Sequence, residues 1–475
     1  MNDKNILKEL IYAFSTADSA RLFSFTSGHL GALPVSDKII LTTIVNANFL
    51  QSFKSSLFLA KELAKFIFLT LLPIKNLALI LRTVLRRICS NKHYSIHSMT
   101  VISLGNQSSA KDPYFGVLLN NLEKEFDYLK IVGGFNFQSK DYMYIESALG
   151  CLDLLKLTGS VAVLPIVTLR YLINKSWQLR GFNNLVTFIT LGLKEINVGV
   201  FCNNKIIVKS IDAWLKNNET KKILYPMEGR NWEKNIVEIM NDRKIYSIGY
   251  IHCALTPRHL SLTQTGFYKP QEVPSVVVAP GEMIAQLMHK IFPNTIVRKG
   301  YFLRGSKDDA SNLKKINPNT LQFALTGNIA ESTKIIDCLA ISGIQKNYQI
   351  IIRLNPNTLT YGHLAKYVKK LGLKLYSADD EFLPSICFFR SSSVALDYLK
   401  LNVMPVYLNL DEIVSNNVFD LDGKYEFMEL DVNELIGDNI ETIVRFNIEV
   451  TKGAEISKYY LQNITPNDTF SGLLE

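Results

Sequence analysis

The chain has 475 residues, more than one ordinary hydrophobic core supports, so we expect two domains. It is 47% hydrophobic and 20% charged, a composition that excludes an intrinsically disordered protein. A formal net charge of +9 favours a phosphate-bearing substrate, a polyanion or an anionic membrane surface. The lysines and arginines are dispersed without an aromatic-interleaved patch, so no nucleic-acid partner is expected.

The cysteines and the N-terminus indicate the compartment. The six cysteines are widely separated, contain no Cys-x-x-Cys pair, and lie in several cases within apolar runs. This pattern predicts free thiols rather than a disulfide framework or a zinc site. The first residues lack the basic-then-apolar order of a secretory signal. We therefore expect a cytoplasmic protein.

Residues 1–97 are predicted to form a helical segment that contains one membrane-like stretch, Phe53 to Ser90. Several basic residues interrupt this stretch, so it contains no clean apolar run of about 18 residues that would span a bilayer. Two interpretations are open. The stretch is either a helix lying on the inner face of the membrane, with a cationic end at Arg82, Arg86 and Arg87, or a helical hairpin buried in the protein.

Residues 98–303 show short β-type runs separated by helical stretches, which predicts a Rossmann-like domain with a parallel sheet. The β-type runs are MTVISLG, LKIVGG, KKILYP, KIYSIGYIH, PSVVVAP and TIVRKGYF. A mostly helical region at about 142–193 separates the second run from the third. Polar residues at the carboxyl ends of such strands are expected to line a ligand cleft.

Residues 304–319 are polar and are predicted to be a linker. Beyond it, residues 320–440 repeat the alternation of strands and helices, which predicts a second Rossmann-like domain. Residues 441–475 are predicted to form a C-terminal helix that packs back on the first domain. The predicted fold class is therefore α/β, with two Rossmann-like domains facing a cleft and an extra helical N-terminal segment.

Charged side chains follow two strands of the first predicted domain. Glu228 comes just after KKILYP, where a carboxylate could accept a proton from an attacking hydroxyl. Glu233 is expected to face solvent in the first turn of the next helix, and Arg230 to pair with either carboxylate. His252 ends the GYIH strand, where it is predicted to orient a substrate, bind its carboxylate or phosphate, or act as the base. The alternative for the Glu228 cluster is an ordinary helix start capped by Asn231, and the alternative for His252 is a purely structural role.

The second predicted domain carries a candidate phosphate site in the sequence FFRSSSVALDYL. Serine hydroxyls, free backbone N–H groups and the helix dipole together attract an anion, although simple N-capping is the alternative. Arg390 is predicted to add a charged phosphate contact. The predicted nucleotide-binding residues are Thr326, Gly327, Asn328, Arg353, Asn355, Pro356, Arg390, Ser391, Ser392 and Ser393, and the secondary or acceptor-side residues are Arg230, Arg258 and His259.

These motifs resemble those of GT-B glycosyltransferases, and most closely those of bacterial surface-carbohydrate biosynthesis proteins. In those proteins a Tyr-Pro-x-Glu strand end precedes a Trp-Glu helix and a Gly-Tyr-x-His strand, here YPMEGRNWEK and GYIH. The arrangement is also similar to CMP-sugar-using bacterial sialyltransferases and polysialyltransferases. Their acidic-acidic-Gly, His-Pro and Ser/Thr motifs fall on Met227-Glu228-Gly229, Asn355-Pro356 and Ser391 to Ser393, with Met227 in place of the first acid and Asn355 in place of the histidine.

The resemblance implies an inverting transfer from a nucleotide-sugar, with a CMP-sugar favoured, to a surface glycan or a lipid-linked saccharide. Glu228 or His252 would take the proton of the acceptor hydroxyl, and the second domain would hold the leaving nucleotide. A lipid-linked acceptor would suit a cytoplasmic protein that is peripheral on the inner membrane face. A sugar-nucleotide epimerase of the same architecture and a non-catalytic glycan- or nucleotide-binding protein are the alternatives.

The sequence predicts no required metal or other cofactor. It contains no P-loop, no H-E-x-x-H and no G-x-S-x-G motif. One D-x-D sequence, Asp420 to Asp422, has the spacing that holds a metal on a sugar nucleotide in some glycosyltransferases. It has no strand directly before it, so we interpret it as a solvated turn.

Overall fold

The computed structural model describes the chain in several ranges. These are residues 74–89, 97–104, 112, 114–115, 126–131, 143–159, 200–252, 254–257, 259–263, 265–300, 315–327, 329–355, 362–377, 382–390, 394–410, 415–425, 427–435, 437–445 and 459–460. Most of the predicted N-terminal segment and most of the predicted C-terminal helix lie outside these ranges, and so does the greater part of the predicted helical region at 142–193.

The first domain is built on a seven-stranded sheet in which all neighbouring strands are parallel. Its strands are β1 Met99–Leu104, β2 Phe126–Ile131, β3 Met143–Tyr144, β4 Lys222–Pro226, β5 Tyr246–Tyr250, β6 Val276–Ala279 and β7 Ile296–Lys299. They lie in the order β3-β2-β1-β4-β5-β6-β7. The central strands β1, β4, β5 and β6 are buried along nearly their whole length, which indicates that both of their faces are covered.

Helices cover the first sheet and fix the loops at its edge. They are α1 Ile74–Cys89, α2 Val200–Asn217, α3 Asn231–Asp242, α4 Leu260–Thr263 and α5 Glu282–Ile291. In α3, Trp232, Ile236 and Met240 recur at four-residue spacing and are buried. This apolar face seats α3 directly after β4, so the short β4–α3 loop lies at the carboxyl edge of the sheet.

The second domain is a six-stranded parallel sheet in the order β10-β9-β8-β11-β12-β13. Its elements are β8 Lys315–Ala324, α6 Ile329–Ser342, β9 Gln349–Arg353, α7 Gly362–Lys370, β10 Lys374–Leu375, β11 Phe382–Phe389, α8 Val394–Lys400, β12 Met404–Asn409, β13 Glu429–Asp431 and α9 Gly437–Arg445. β8 begins inside the predicted linker, because Lys315 to Asn317 extend the pairing with the start of β11.

Both sheets have the strand order of a Rossmann fold, so the predicted fold class of two Rossmann-like domains is confirmed. In such a sheet the strand order reverses beside the first strand, and the reversal opens a crevice outside the carboxyl ends. Here the reversal lies between β1 and β4 in the first sheet and between β8 and β11 in the second. The structure therefore provides two crevices, one in each domain.

The two domains share buried contacts. One cluster of buried side chains extends from Tyr225 and Trp232 in the first domain to Phe389 and Tyr407 in the second. The opposite face of the second sheet packs into a separate cluster with α6 and α9. At a polar point of contact, the Thr256 hydroxyl after β5 donates to Asn416 Oδ1 after β12, at 3.0 Å and buried. This bond joins the edge of the first sheet to the second domain.

The end of α1 bears on the two interpretations of the stretch from Phe53 to Ser90. In the membrane-surface interpretation Arg82 and Arg86 form a cationic end, but their side chains are buried, at 4% and 0% exposure. Arg86 Nη1 lies 2.6 Å from Glu146 Oε1, and its guanidinium lies 4.7 Å from the centre of the Tyr144 ring. Because a buried guanidinium needs a carboxylate partner, these two arginines face the protein and not a membrane.

The described helices were also compared with the requirements of a membrane span. Within the ranges given above, no helix combines the length and the apolar character needed to cross a bilayer.

Candidate active site

The loop after β4 is shaped by Gly229. This residue has φ of +76°, a conformation that glycine adopts without strain. A Cβ atom at this position would lie 2.2 Å from Ser261 Oγ, whose hydroxyl donates to the Gly229 carbonyl at 3.1 Å. Only glycine therefore allows the loop to bend this closely over α4. The bend places the preceding residue, Glu228, at the crevice between β1 and β4.

Met227 occupies the position where the related motif has an acidic residue. Its side chain is 1% exposed, and its backbone N–H donates to the Tyr250 carbonyl at 2.8 Å. A Cβ atom at Gly249 would come within 2.7 Å of Met227 Sδ, so the thioether packs tightly on β5. A carboxylate at this position would be buried without water. Met227 is therefore a residue of the hydrophobic core, and its presence in place of an acidic residue removes no polar group from the cleft.

Glu228, Arg230 and His252 meet at the end of β4 and β5. Arg230 Nη2 forms an ion pair with Glu228 Oε2, and His252 Nε2 lies 3.5 Å from Glu228 Oε1. Glu228 and His252 are 8% and 6% exposed, whereas the Arg230 side chain retains 40% exposure. A carboxylate held between two nitrogen groups in a partly dry site is suited to proton transfer. The three residues that the sequence predicted at this edge are thus brought together.

Glu233 does not face solvent as expected. It is 2% exposed, and its Oε2 accepts the backbone N–H of Glu228 at 3.0 Å and that of Gly229 at 2.9 Å. Burial and the nearby Glu228 charge raise the pKa of Glu233 well above 4.5, although the Arg230 charge and hydrogen bonds from the backbone of Glu228 and Arg230 oppose the rise. The expectation failed because the bent loop offers two buried N–H groups that need an acceptor. Glu233 therefore fixes the backbone that carries Glu228.

Tyr114 belongs to the site, although the sequence did not single it out. Its ring centre lies 4.5 Å from that of His252, in an edge arrangement of 68°. The residue lies in a turn after β1. An aromatic pair, Tyr114-Phe115, soon after the first strand of a Rossmann-like unit was the available signal.

His259 forms a hydrogen bond within the loop that carries it. Its Nδ1 accepts the backbone N–H of Thr256 at 3.0 Å. The same Thr256 uses its hydroxyl to reach Asn416 of the second domain. His259 thus orients the loop that joins the domains. Its contact with an acceptor stays a prediction, and Arg258 lies outside the described residues.

At the carboxyl edge of the second sheet, beside the crevice, the loops after β8 and β9 lie next to each other. A Cβ atom at Gly327 would be 3.7 Å from Asn355 Oδ1, so the exposed glycine leaves its backbone open beside the Asn355 amide. Thr326 is 4% exposed, and its carbonyl accepts the Ser332 hydroxyl at 3.2 Å. The Arg353 guanidinium lies 4.8 Å from the Tyr376 ring centre. Of the other predicted nucleotide contacts, Asn328, Pro356 and Ser391 to Ser393 lie outside the described residues.

Arg390 has a different place from the one predicted. Its side chain is 0% exposed, and its Nε and Nη2 donate to the Glu331 carboxylate at 2.8 and 3.3 Å. Its Nη1 donates to Tyr407 Oη at 3.1 Å and to the Leu408 carbonyl at 3.0 Å. This burial leaves the guanidinium no surface on which to bind a phosphate, contrary to the sequence-based prediction. Arg390 instead ties the end of β11 to α6 and β12.

The D-x-D sequence lies in an exposed turn. Asp420 Oδ1 accepts the Asn417 side-chain amide at 3.0 Å, and Asp422 Oδ1 accepts the Lys424 backbone N–H at 3.2 Å. Across the part of the chain that the structure describes, no three His, Cys, Asp or Glu side chains are grouped as metal ligands.

Comparison with models of known protein families gives no match, and no curated protein matches the sequence. Among solved structures, the UDP-GlcNAc 2-epimerase of Neisseria meningitidis bound to UDP-GlcNAc is 11% identical, with 79% of this chain and 99% of that chain covered and a TM-score of 0.45. Anabaena HepE in complex with UDP and glucose is 12% identical, with 80% and 99% covered and a TM-score of 0.40. The glycotransferase of kitacinnamycin is 8% identical, with 78% and 96% covered and a TM-score of 0.42. The fold assignment rests on the two parallel sheets and not on these scores.

Proposed function

We propose that this protein is a glycosyltransferase that moves a sugar from a nucleotide-sugar to a hydroxyl group of an acceptor. The observation that carries the proposal is the buried Glu228 carboxylate at the crevice of the first sheet, held between Arg230 and His252. At the carboxyl edge of the second sheet, Gly327 and Asn355 adjoin. Separate sites at the two sheets would suit an acceptor and a donor.

In the proposed reaction, the acceptor oxygen attacks the anomeric carbon while Glu228 accepts the hydroxyl proton. The new carbon–oxygen bond forms as the bond to the nucleotide phosphate breaks, and the nucleotide leaves with the electron pair. A single displacement inverts the anomeric centre. The ion pair with Arg230 holds the Glu228 carboxylate in place, and His252 orients the carboxylate or takes the proton itself.

The leaving nucleotide is proposed to lie against the second crevice. Gly327 lets a phosphate or ribose approach the backbone, and Asn355 offers an amide donor beside it. The Arg390–Glu331 pair holds the end of β11, from which Ser391 to Ser393 follow as proposed phosphate ligands. No protein-bound metal is included in this scheme.

The finer features follow from the motif resemblance. The donor is proposed to be a CMP-sugar, of the Kdo or sialic acid type. The acceptor is proposed to be a surface glycan or a lipid-linked saccharide, reached from the cytoplasmic side at the inner membrane face. Because Asn355 replaces the expected histidine, CMP must be compared directly with UDP, GDP and CDP. A thermal-shift screen with these nucleotides would identify the base that the second domain accepts.

The central test is Glu228→Gln, which keeps the shape of the side chain and removes its basicity. We expect transfer to fall by a factor of about 100 to 10,000, the range typical of general base catalysis, while nucleotide binding is unchanged. Glu219→Gln, at an exposed carboxylate shortly before β4, is the matched control and should retain full activity. Full activity of Glu228→Gln would refute its role as the base. Turnover of a nucleotide-sugar without any acceptor would instead indicate an epimerase.

A further inference from the structure

Asp112 is the centre of a buried polar cluster behind the site. Its Oδ1 accepts the backbone N–H groups of Tyr114 and Phe115, both at 2.8 Å. Its Oδ2 accepts the hydroxyls of Ser103 on β1 and Tyr128 on β2. Lys130 Nζ, also on β2, lies 3.4 Å from the same oxygen. One carboxylate therefore joins two strands to the turn that follows β1.

Burial of the ion pair in this cluster costs free energy, and this cost is offset if the cluster fixes one conformation of the chain. The side chains of Asp112 and Lys130 are both 0% exposed. Burial lowers the pKa of Lys130, and the Asp112 carboxylate opposes that effect. A buried ion pair seldom adds net stability over an apolar core of the same volume, and its best-supported contribution is to select one conformation. The conformation selected here is that of the turn at Tyr114 and Phe115.

The turn at Tyr114 and Phe115 packs against the end of β5. Phe115 is wholly buried, and its ring centre lies 5.5 Å from that of Tyr250, the last residue of β5. Tyr114 places its ring edge against His252, two residues further along. Phe115 and Tyr114 therefore pack against Tyr250 and His252, in the segment that ends beside Glu228. A change in the turn would move the His252 ring relative to the carboxylate 3.5 Å away.

We propose that Asp112 is a positioning residue which, through the turn at Tyr114, sets the His252 ring beside Glu228. The position of the His252 ring is inferred from the contacts of Asp112 with the turn and of the turn with His252. Its importance for turnover rests on the proposed function. Asp112 itself lies behind the site and touches no reacting group in this scheme.

The test compares two double variants that lose the same ion pair. Asp112→Asn with Lys130→Met keeps an oxygen acceptor for the two backbone N–H groups, whereas Asp112→Ala with Lys130→Met removes it. Tyr114→Phe keeps the ring on His252, and Tyr114→Leu removes it. The readout is the His252 ring resonance in NMR spectra of the full chain, assigned by its loss in His252→Gln.

We expect the His252 resonance to stay in place in the asparagine and phenylalanine variants. It should move toward its random-coil position in the alanine and leucine variants, because the aromatic ring current is lost. In those two variants kcat should fall by about tenfold to a hundredfold, with a smaller change in KM. Tyr128→Phe, which removes one donor to Asp112 and keeps the core filled, should produce a smaller displacement in the same direction.

An unchanged His252 resonance in the folded alanine double variant would overturn the proposal. If that variant does not fold, an unchanged resonance in both Tyr114→Leu and Tyr128→Phe would overturn it equally. A displaced resonance supports the positioning role even if the wild-type protein transfers no sugar from any donor. In that case the proposed function fails and the positioning role of Asp112 remains.

Discussion

Replacement of Glu233 separates its two structural roles, accepting hydrogen bonds and carrying a buried charge. Glu233→Gln keeps an oxygen that can accept the N–H groups of Glu228 and Gly229, whereas Glu233→Ala leaves both donors unsatisfied. Each buried, unsatisfied donor costs about 1–3 kcal/mol, so the alanine variant should lose about 2–6 kcal/mol of the free energy of unfolding. The glutamine variant should lose far less.

The pH dependence of the free energy of unfolding tests the buried Glu233 side chain more directly. Because the pKa of Glu233 is raised well above 4.5 by burial and by Glu228, the folded protein keeps a proton that the unfolded chain releases. The stabilisation that protonated Glu233 contributes is therefore fully present below its pKa in the unfolded chain. It is lost as the pH rises through its pKa in the folded protein. Over that window wild-type stability should fall relative to Glu233→Gln by about 1.4 kcal/mol per pH unit.

The measurement is guanidinium unfolding of the three proteins at pH 5 and pH 8, followed by tryptophan fluorescence. Trp232 is adjacent to Glu233 and 1% exposed, so its emission reports the state of this region. We expect Glu233→Gln to gain on the wild type between the two pH values and Glu233→Ala to be weaker than both at pH 5. A Gln variant as unstable as the Ala variant, or a pH-independent difference from the wild type, would refute the reasoning.

Three further predictions concern the bend, the buried ion pair and the contact between domains. Gly229→Ala should destabilise the protein more than Gly343→Ala, because both have positive φ but only the first Cβ meets another atom within 4 Å; thermal unfolding of the two variants measures the difference. Arg390→Met should cost about 3–5 kcal/mol because the buried Glu331 carboxylate loses the Arg390 charge, and adding Glu331→Leu should recover much of that loss in urea unfolding. Thr256→Val should cost about 0.5–1.5 kcal/mol and raise KM for the donor, as measured by unfolding and initial rates; unchanged values would exclude a role for the interdomain bond.

The sequence was sufficient to predict the two Rossmann-like domains and to place Glu228 and His252 at the carboxyl ends of strands. The apolar runs are short and bounded by turn residues, and the carboxyl ends of parallel strands necessarily share one edge. Any polar residue that directly follows such a run is therefore placed at that edge by topology alone. This argument needs no knowledge of side-chain partners.

Features that depend on distant partners were not predictable in the same way. Glu233 turns inward because a glycine bend exposes two N–H groups, and Arg390 is buried because Glu331, 59 positions earlier in the chain, approaches it. Asp112 gathers donors from β1, β2 and its own turn, a set with no sequence periodicity. Local rules place charged residues in solvent by default, and only the folded structure shows where a buried partner overrides them.

The shared hydrophobic cluster also determines how the chain can be divided. Phe389 and Tyr407 belong to the same buried cluster as Tyr225 and Trp232. A fragment cut between residues 300 and 315 would therefore expose part of this apolar surface on each half. We expect separately expressed halves to be less soluble than halves that are produced together.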